Sequence, residues 1–185
     1  MFVALVPPEE AVADLDEFLA VRREAAAFRW TAAEQLHVTL AFCADVADHD
    51  LDGFVERLAS AAARRTPVTT RVAGGGAFPD PDRAKVLWAG LELDDAAAGE
   101  LDRMASGARA AAAREGVAVD GQRFRPHVTV ARLGRAQQAS RWVQLLDAYR
   151  GPEWVAQRWD LVASHLGEGP RRRPRHEVVA SLTVG

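Results

Sequence analysis

The 185-residue chain is poor in sulfur and in lysine, with one cysteine, two methionines and a single lysine against 22 arginines. The lone Cys43 excludes an internal disulfide and adds no more than one thiol to any metal site. That economy fits a reducing compartment, and a cytoplasmic location is expected. Neither His-Glu-x-x-His nor Cys-x-x-Cys occurs, so the common zinc spacings are excluded, and no metal or other cofactor is expected. No apolar run approaches the roughly 18 residues of a membrane span. The first residues, MFVALVPPEE, hold no basic region and reach Pro7 and Pro8 at once, which excludes a signal peptide. Strong charge of one sign is also missing. A net charge of −3, with 49% hydrophobic and 26% charged residues, describes an ordinary soluble chain. Its length suffices for one ample core or two small lobes. Gly74 to Gly76 are followed by no Gly-Lys-Ser/Thr, so a phosphate-binding loop is excluded and a bulge or flexible turn is expected.

What the chain does have is a repeat. Gln35 to Ala41 reads QLHVTLA and Phe124 to Leu133 reads FRPHVTVARL. Each contains His, apolar, Thr, apolar: His37, Val38, Thr39, Leu40, then His127, Val128, Thr129, Val130. With five histidines and seven threonines, one such flanked His-x-Thr is expected by chance only about 0.05 times. The alternation fits a strand on which residues i and i+2 share a face. His and Thr then point one way, roughly 6 to 7 Å apart, while the apolar pair points into a core and fixes the strand. Copies at similar places in the two halves of the chain imply two lobes facing one cleft.

Charge is unevenly spread. Residues 1–50 hold ten acids and three bases, whereas residues 121–135 hold Arg123, Arg125, Arg132 and Arg135 and no acid. A positive field around the second motif favours an anionic ligand, though a solvated strand edge has the same composition.

In chain order, Phe2 to Val6 reads as a buried strand, followed by a helix from Glu9 to about Ala27. The first motif strand runs to about Phe42, Asp45 to Asp50 is a polar turn, and a helix follows to near Arg65. Val68 to Val72 and Lys85 to Leu93 form a hairpin around the turn-rich FPDPDR. A helix spans Ala96 to Arg114, and another spans Gln137 to Tyr149 after the second motif. Trp154 to Leu166 and His176 to Val184 read as strands around GEGPRRRPR. The expected fold is α+β and bilobal, with two pseudo-symmetric lobes, each an antiparallel sheet with flanking helices, the terminal strands exchanged between lobes. Residues 1–185 form one domain on this reading.

Two histidines facing each other, each beside a hydroxyl, are the minimum for cleaving a phosphodiester without a metal. Imidazole's pKa near 6.5 lets one ring deprotonate water and the other protonate a departing alkoxide. The hydroxyls of Thr39 and Thr129 would hold the non-bridging oxygens. A module that grips phosphate without turnover is the competing reading, but binding alone would be served by Arg and Lys.

With these residues in view, the chain resembles the two-histidine phosphoesterases, specifically the LigT-like RNA 2′,3′-cyclic phosphodiesterases. The resemblance runs through FVALVPPEE, RW before LHVTLAF, FPDPDRAKVLWAGLE, FRPHVTVARL, and LVASHL before HEVVASL. It implies a bilobal α+β fold, no metal, and hydrolysis of an RNA or oligonucleotide terminal 2′,3′-cyclic phosphate to a 2′-phosphate, sometimes with reverse 2′-5′ joining of RNA ends. Carried over, His37 is the acid for the leaving 3′ oxygen and His127 the base for water, while Thr39, Thr129 and Arg132 bind phosphate. Simple alternation puts Arg132 on the wrong strand face, so its role requires a bulge or a strand end. A small nucleotide, such as an ADP-ribose cyclic phosphate, is the alternative substrate. A monomer is expected. The chain departs from the family at Cys43-Ala44, where Leu-Gly is common, and near His176, where Tyr is common. Phe78, Trp30 and Trp88 are candidates for stacking on a base, against the plainer reading that they belong to the core. Arg171 to Arg175 read either as an RNA contact or as a solvated hairpin tip.

Overall fold

The computed structural model describes every residue except 45, 120, 122, 166 and 170–173, together with the side chain of residue 48. Most of the Arg171 to Arg175 expectation therefore lies outside the described residues. Strand β1 (Phe2–Leu5) ends just before Pro7 and Pro8, and α1 (Glu9–Arg23) begins with two acids and ends with two arginines, as the helix dipole favours. It stops earlier than the expected Ala27: the Ala25 N–H turns to the Arg22 carbonyl three residues back at 3.2 Å, and the Ala26 carbonyl accepts from the Trp30 indole at 3.0 Å. The two-residue β2 (Arg29–Trp30) and a 3-10 turn at Ala33–Gln35 lead into β3 (Val38–Ala44). Next come α2 (Leu51–Ala62), β4 (Val68–Phe78), β5 (Ala84–Glu92) and α3 (Asp95–Arg114). The Asp94 carboxylate caps α3 by accepting from the Ala97 N–H at 2.7 Å. The remaining elements are β6 (Ala118–Val119), β7 (Val128–Gln137), α4 (Ser140–Asp147), β8 (Arg150–Ala156), β9 (Arg158–His165) and β10 (Arg175–Thr183).

Eight strands form one antiparallel path, β10-β9-β1-β3-β7-β5-β4-β8. It divides into two four-stranded halves, each ending inward on a motif strand, and the halves meet where Val38 pairs with Val128. Helices α2 and α3 cover the first half, with α3 against β3 and α2 against β9 and β10. Helices α1 and α4 cover the second half, on β8 and on β4 with β5. The first half borrows its outer strands from the C-terminus, so the expected exchange of terminal strands is present. The short strands cross over as well: β2, just before the first motif, pairs with β7, and β6, just before the second, pairs with β3. Beyond Val38–Val128 each motif strand thus turns to a different neighbour.

Three differences from the sequence reading have simple causes. Strand β4 runs on past the expected Val72 to Phe78, through the bulge expected at Gly74 to Gly76. Its register shifts between Val72 and Gly75, a bulge, and Gly74 has φ +73°. A Cβ on Gly76 would collide with the Trp88 ring, and one on Gly75 with Leu146, so close approach selects glycine. Helix α4 starts at Ser140 because β7 continues to Gln137, which pairs with Ala84. The single strand expected over Trp154 to Leu166 is two strands split at Gln157, since β8 pairs with β4 in one half and β9 with β1 in the other. No helix among the described residues is long and apolar enough to cross a membrane.

Candidate active site

The apolar members of each motif do what alternation requires. Val38, Leu40, Val128 and Val130 are all buried in the core that both halves share. His37, Thr39, His127 and Thr129 consequently lie on the other face, partly exposed. Counting outward from the antiparallel Val38–Val128 pair sets His37 opposite Thr129 and Thr39 opposite His127. Four polar side chains thus form the corners of one patch, with the histidines on a diagonal.

Each histidine is held the same way. His37 Nδ1 lies 2.7 Å from the Gln35 carbonyl, and His127 Nδ1 lies 2.7 Å from the Arg125 carbonyl. A carbonyl only accepts, so Nδ1 carries the proton in both rings and Nε2 is left for chemistry. Rings pack on both. Phe2 stacks on His37 with centroids 4.6 Å apart, while Phe78 meets His127 edge-on at 4.9 Å and Trp88 lies at 6.1 Å.

Both imidazoles are harder to protonate than usual. Burial lowers the His37 pKa from 6.5 to about 4, against the opposing Gln35 hydrogen bond, and His176, His127 and Arg132 add repulsion. Burial also lowers that of His127, helped by Arg132 and Arg125. In the free protein both rings are neutral at pH 7.

Arg132 reaches this face because the strands are bulged. Leu87 pairs with Ala131 and Trp88 with Thr129, leaving Val130 as the extra residue. Val130 and Ala131 are both fully buried, so the alternation resets and the exposed Arg132 returns to the side of His127. The first motif repeats the device: Val3 pairs with Ala41 and Ala4 with Thr39, leaving Leu40 as the extra residue. Phe42, five residues after His37, takes the place that Arg132 holds in the second motif, and it is 53% exposed.

A groove of about 1010 Å³ opens beside Thr39 and His127. Phe42, Phe78 and Phe124 supply apolar surface there, and among the described lining residues Lys85, Arg109, Arg123 and Arg125 supply positive charge against the one acid Asp102. All five site residues expected from the sequence, His37, His127, Thr39, Thr129 and Arg132, fall on one face of the sheet. Trp30 does not join them. It is buried against Phe28 and Trp142 in the core. Sequence reasoning missed Phe2 and Phe42. Phe42 could have been found from the repeat, since it and Arg132 both follow the motif alanine, Ala41 or Ala131. Among the described residues, no three His, Cys, Asp or Glu side chains gather as a metal-holding group.

The fold has counterparts among known proteins. The family model described as LigT like Phosphoesterase matches residues 5–88 and 91–171, and the chain belongs to that family. A curated relative from Thermus thermophilus, named RNA 2′,3′-cyclic phosphodiesterase, is 31% identical over 90% of this chain and 82% of its own length. Relatives of the same name from Aeropyrum pernix and Geobacillus stearothermophilus are 37% and 31% identical over 61% and 99% of this chain. Those two alignments span only 61% and 56% of the relatives' own lengths. Among solved structures, E. coli LigT in apo form superposes with a TM-score of 0.76 at 22% identity, over 99% of this chain and 95% of that one. A structure from Thermus thermophilus gives a TM-score of 0.75 at 26% identity, over 99% of this chain and 96% of that one.

Proposed function

We propose that the protein hydrolyses the terminal 2′,3′-cyclic phosphate of RNA to a 2′-phosphate by proton transfer between His37 and His127. The observation that carries this reading is the shared tethering of both rings through Nδ1, which leaves two Nε2 atoms beside two threonine hydroxyls on one face. The names of the curated relatives support the substrate class.

Water attacks phosphorus in line with the P–O3′ bond. His127 Nε2 takes the water proton, His37 Nε2–H gives a proton to O3′ as the bond breaks, and the 2′-phosphate and a 3′-hydroxyl result. Thr39 and Thr129 donate to the non-bridging oxygens, and Arg132 balances their growing charge. His37 acquires its proton with the anionic substrate, whose charge opposes the repulsion from His127 and Arg132. A 5′-hydroxyl in place of water gives the reverse 2′-5′ joining by the same transfers. No step requires a metal.

The groove favours an oligonucleotide over a small nucleotide. The exposed Phe42 and half-buried Phe78 and Phe124, in one groove with four cations, suit the bases and phosphates of a single strand. One monomer supplies every group named, and residues 1–185 act as a single two-histidine domain. A chain with one cysteine, and so no internal disulfide, accords with the cytoplasm.

The test is an oligoribonucleotide ending in a 2′,3′-cyclic phosphate, compared with the cyclic mononucleotide, with the product identified by phosphorus NMR. A 2′-phosphate formed faster on the oligomer is expected. Tight binding without turnover would instead make the protein a binding module.

A further inference from the structure

Three rings meet on the His37 side of the site. Phe2 lies nearly flat on His37, with 22° between planes, and His176 of β10 stands edge-on to both, 5.1 Å from Phe2 and 5.6 Å from His37. The fold ties β10 to this place. Gln35, whose carbonyl accepts from His37 Nδ1, also donates its side-chain amide to the Pro174 carbonyl at 2.6 Å. One residue therefore anchors both the imidazole of His37 and the chain entering the strand that carries His176. The other half of the site is different, because the rings beside His127 are Phe78 and Trp88, which do not titrate. A second imidazole accompanies His37 alone.

We propose that His176 is a positioning residue for the reaction, holding the edge of the His37 ring and competing with it for a proton, so that His37 and His127 are unequal in the free protein. Burial lowers the pKa of His176 itself, and its charge, when present, opposes a second one on His37.

Other charges face the same small cavity of about 190 Å³. Glu34 lies on the 3-10 turn, and Arg158 and Asp160 lie on β9, 3.2 Å apart. Asp160 also accepts from Ser181 at 2.5 Å. Arg175 and Glu177, beside His176 on β10, pair with each other at 2.8 Å, and Arg132 acts on His37 from β7. All of these persist when His176 alone is changed.

The proposal rests on the phosphodiesterase reading only for its kinetics. His176→Phe keeps a ring against Phe2 but has no proton site, and His176→Ala removes both. Imidazole C–H signals of His37 and His127 are followed by NMR against pH, alongside kcat/KM. In His176→Phe the His37 midpoint is expected to rise by the part that the neighbouring imidazole contributes while burial still holds it below 6.5, His127 to stay, and one limb of the kcat/KM profile to move with His37. In His176→Ala, kcat is expected to fall about 10-fold or more with KM little changed, as a misplaced ring would cause. An unmoved His37 midpoint in folded His176→Phe, or an equal shift at His127, overturns the proposal. Absence of hydrolysis in the wild type would sink the phosphodiesterase reading, while the NMR titrations would still decide the role of His176.

Discussion

Val38 pairs with Val128 across the seam between the two halves of the sheet, and this pairing decides which threonine serves which histidine. Slipping either motif strand by one residue would turn its own histidine and threonine toward the core. Because Thr39 falls opposite His127 and Thr129 opposite His37, each hydroxyl proposed to hold phosphate comes from the strand facing the proposed base or acid. Thr39→Val and Thr129→Val are each expected to lower kcat by about 10² to 10³, the usual loss for one donor to a developing oxyanion. Steady-state kinetics checks this, and a rise in KM alone would assign the hydroxyls to ground-state binding instead.

His37→Ala and His127→Ala should each reduce kcat by about 10² to 10⁴, and the double variant should be little worse than the weaker single one. The wild-type rate should be unaffected by excess chelator. Loss of activity on chelation would contradict the two-imidazole mechanism.

Burial holds both imidazoles below 6.5, and kcat/KM reports groups in the free enzyme. If one ring must carry a proton, kcat/KM should peak below pH 6.5 and decline above it. Phe2→Ser, which lets water reach His37, should move that profile toward higher pH. A pH–rate series on both proteins measures it.

The same shift makes a statement about stability. The folded pKa of His37, about 4, lies below its ordinary 6.5, so the unfolded chain takes the proton first. Its contribution is therefore complete above pH 6.5 and is lost as pH falls toward 4, by up to about 3 kcal/mol. Urea unfolding at pH 7 and pH 5 should show a smaller difference for His37→Gln than for the wild type.

Gly76→Ala should destabilise the protein by about 1 to 3 kcal/mol, because the new methyl group enters the space of the Trp88 ring. The same change displaces a wall of His127, so kcat should fall as well. Thermal melting and kinetics on one preparation test both. An unchanged melting temperature would mean that Trp88 moves aside freely.

The two histidine strands and their inward and outward faces were legible in the sequence, since strict alternation leaves a strand little choice once Val38, Leu40, Val128 and Val130 must be buried. The helices over α2 and α3 were legible for the same reason at a different period. Simple counting misplaced Arg132, because the bulge at Val130 depends on how β5 pairs with β7, and no local signal marks a register between distant strands. The boundary at Gln157 was hidden for a related cause, since apolar alternation continues while the chain passes from one half of the sheet to the other.

By itself the sequence determined the candidate groups and their faces, two imidazoles and two hydroxyls on two alternating strands, because residue type and period are local properties. Only the tertiary structure decided their arrangement: the diagonal of the histidines, the return of Arg132, and the approach of Phe2 and His176 to a single ring. Each of these depends on strand pairing over long separations, where burial and hydrogen bonding across the whole sheet select a register that no short stretch encodes.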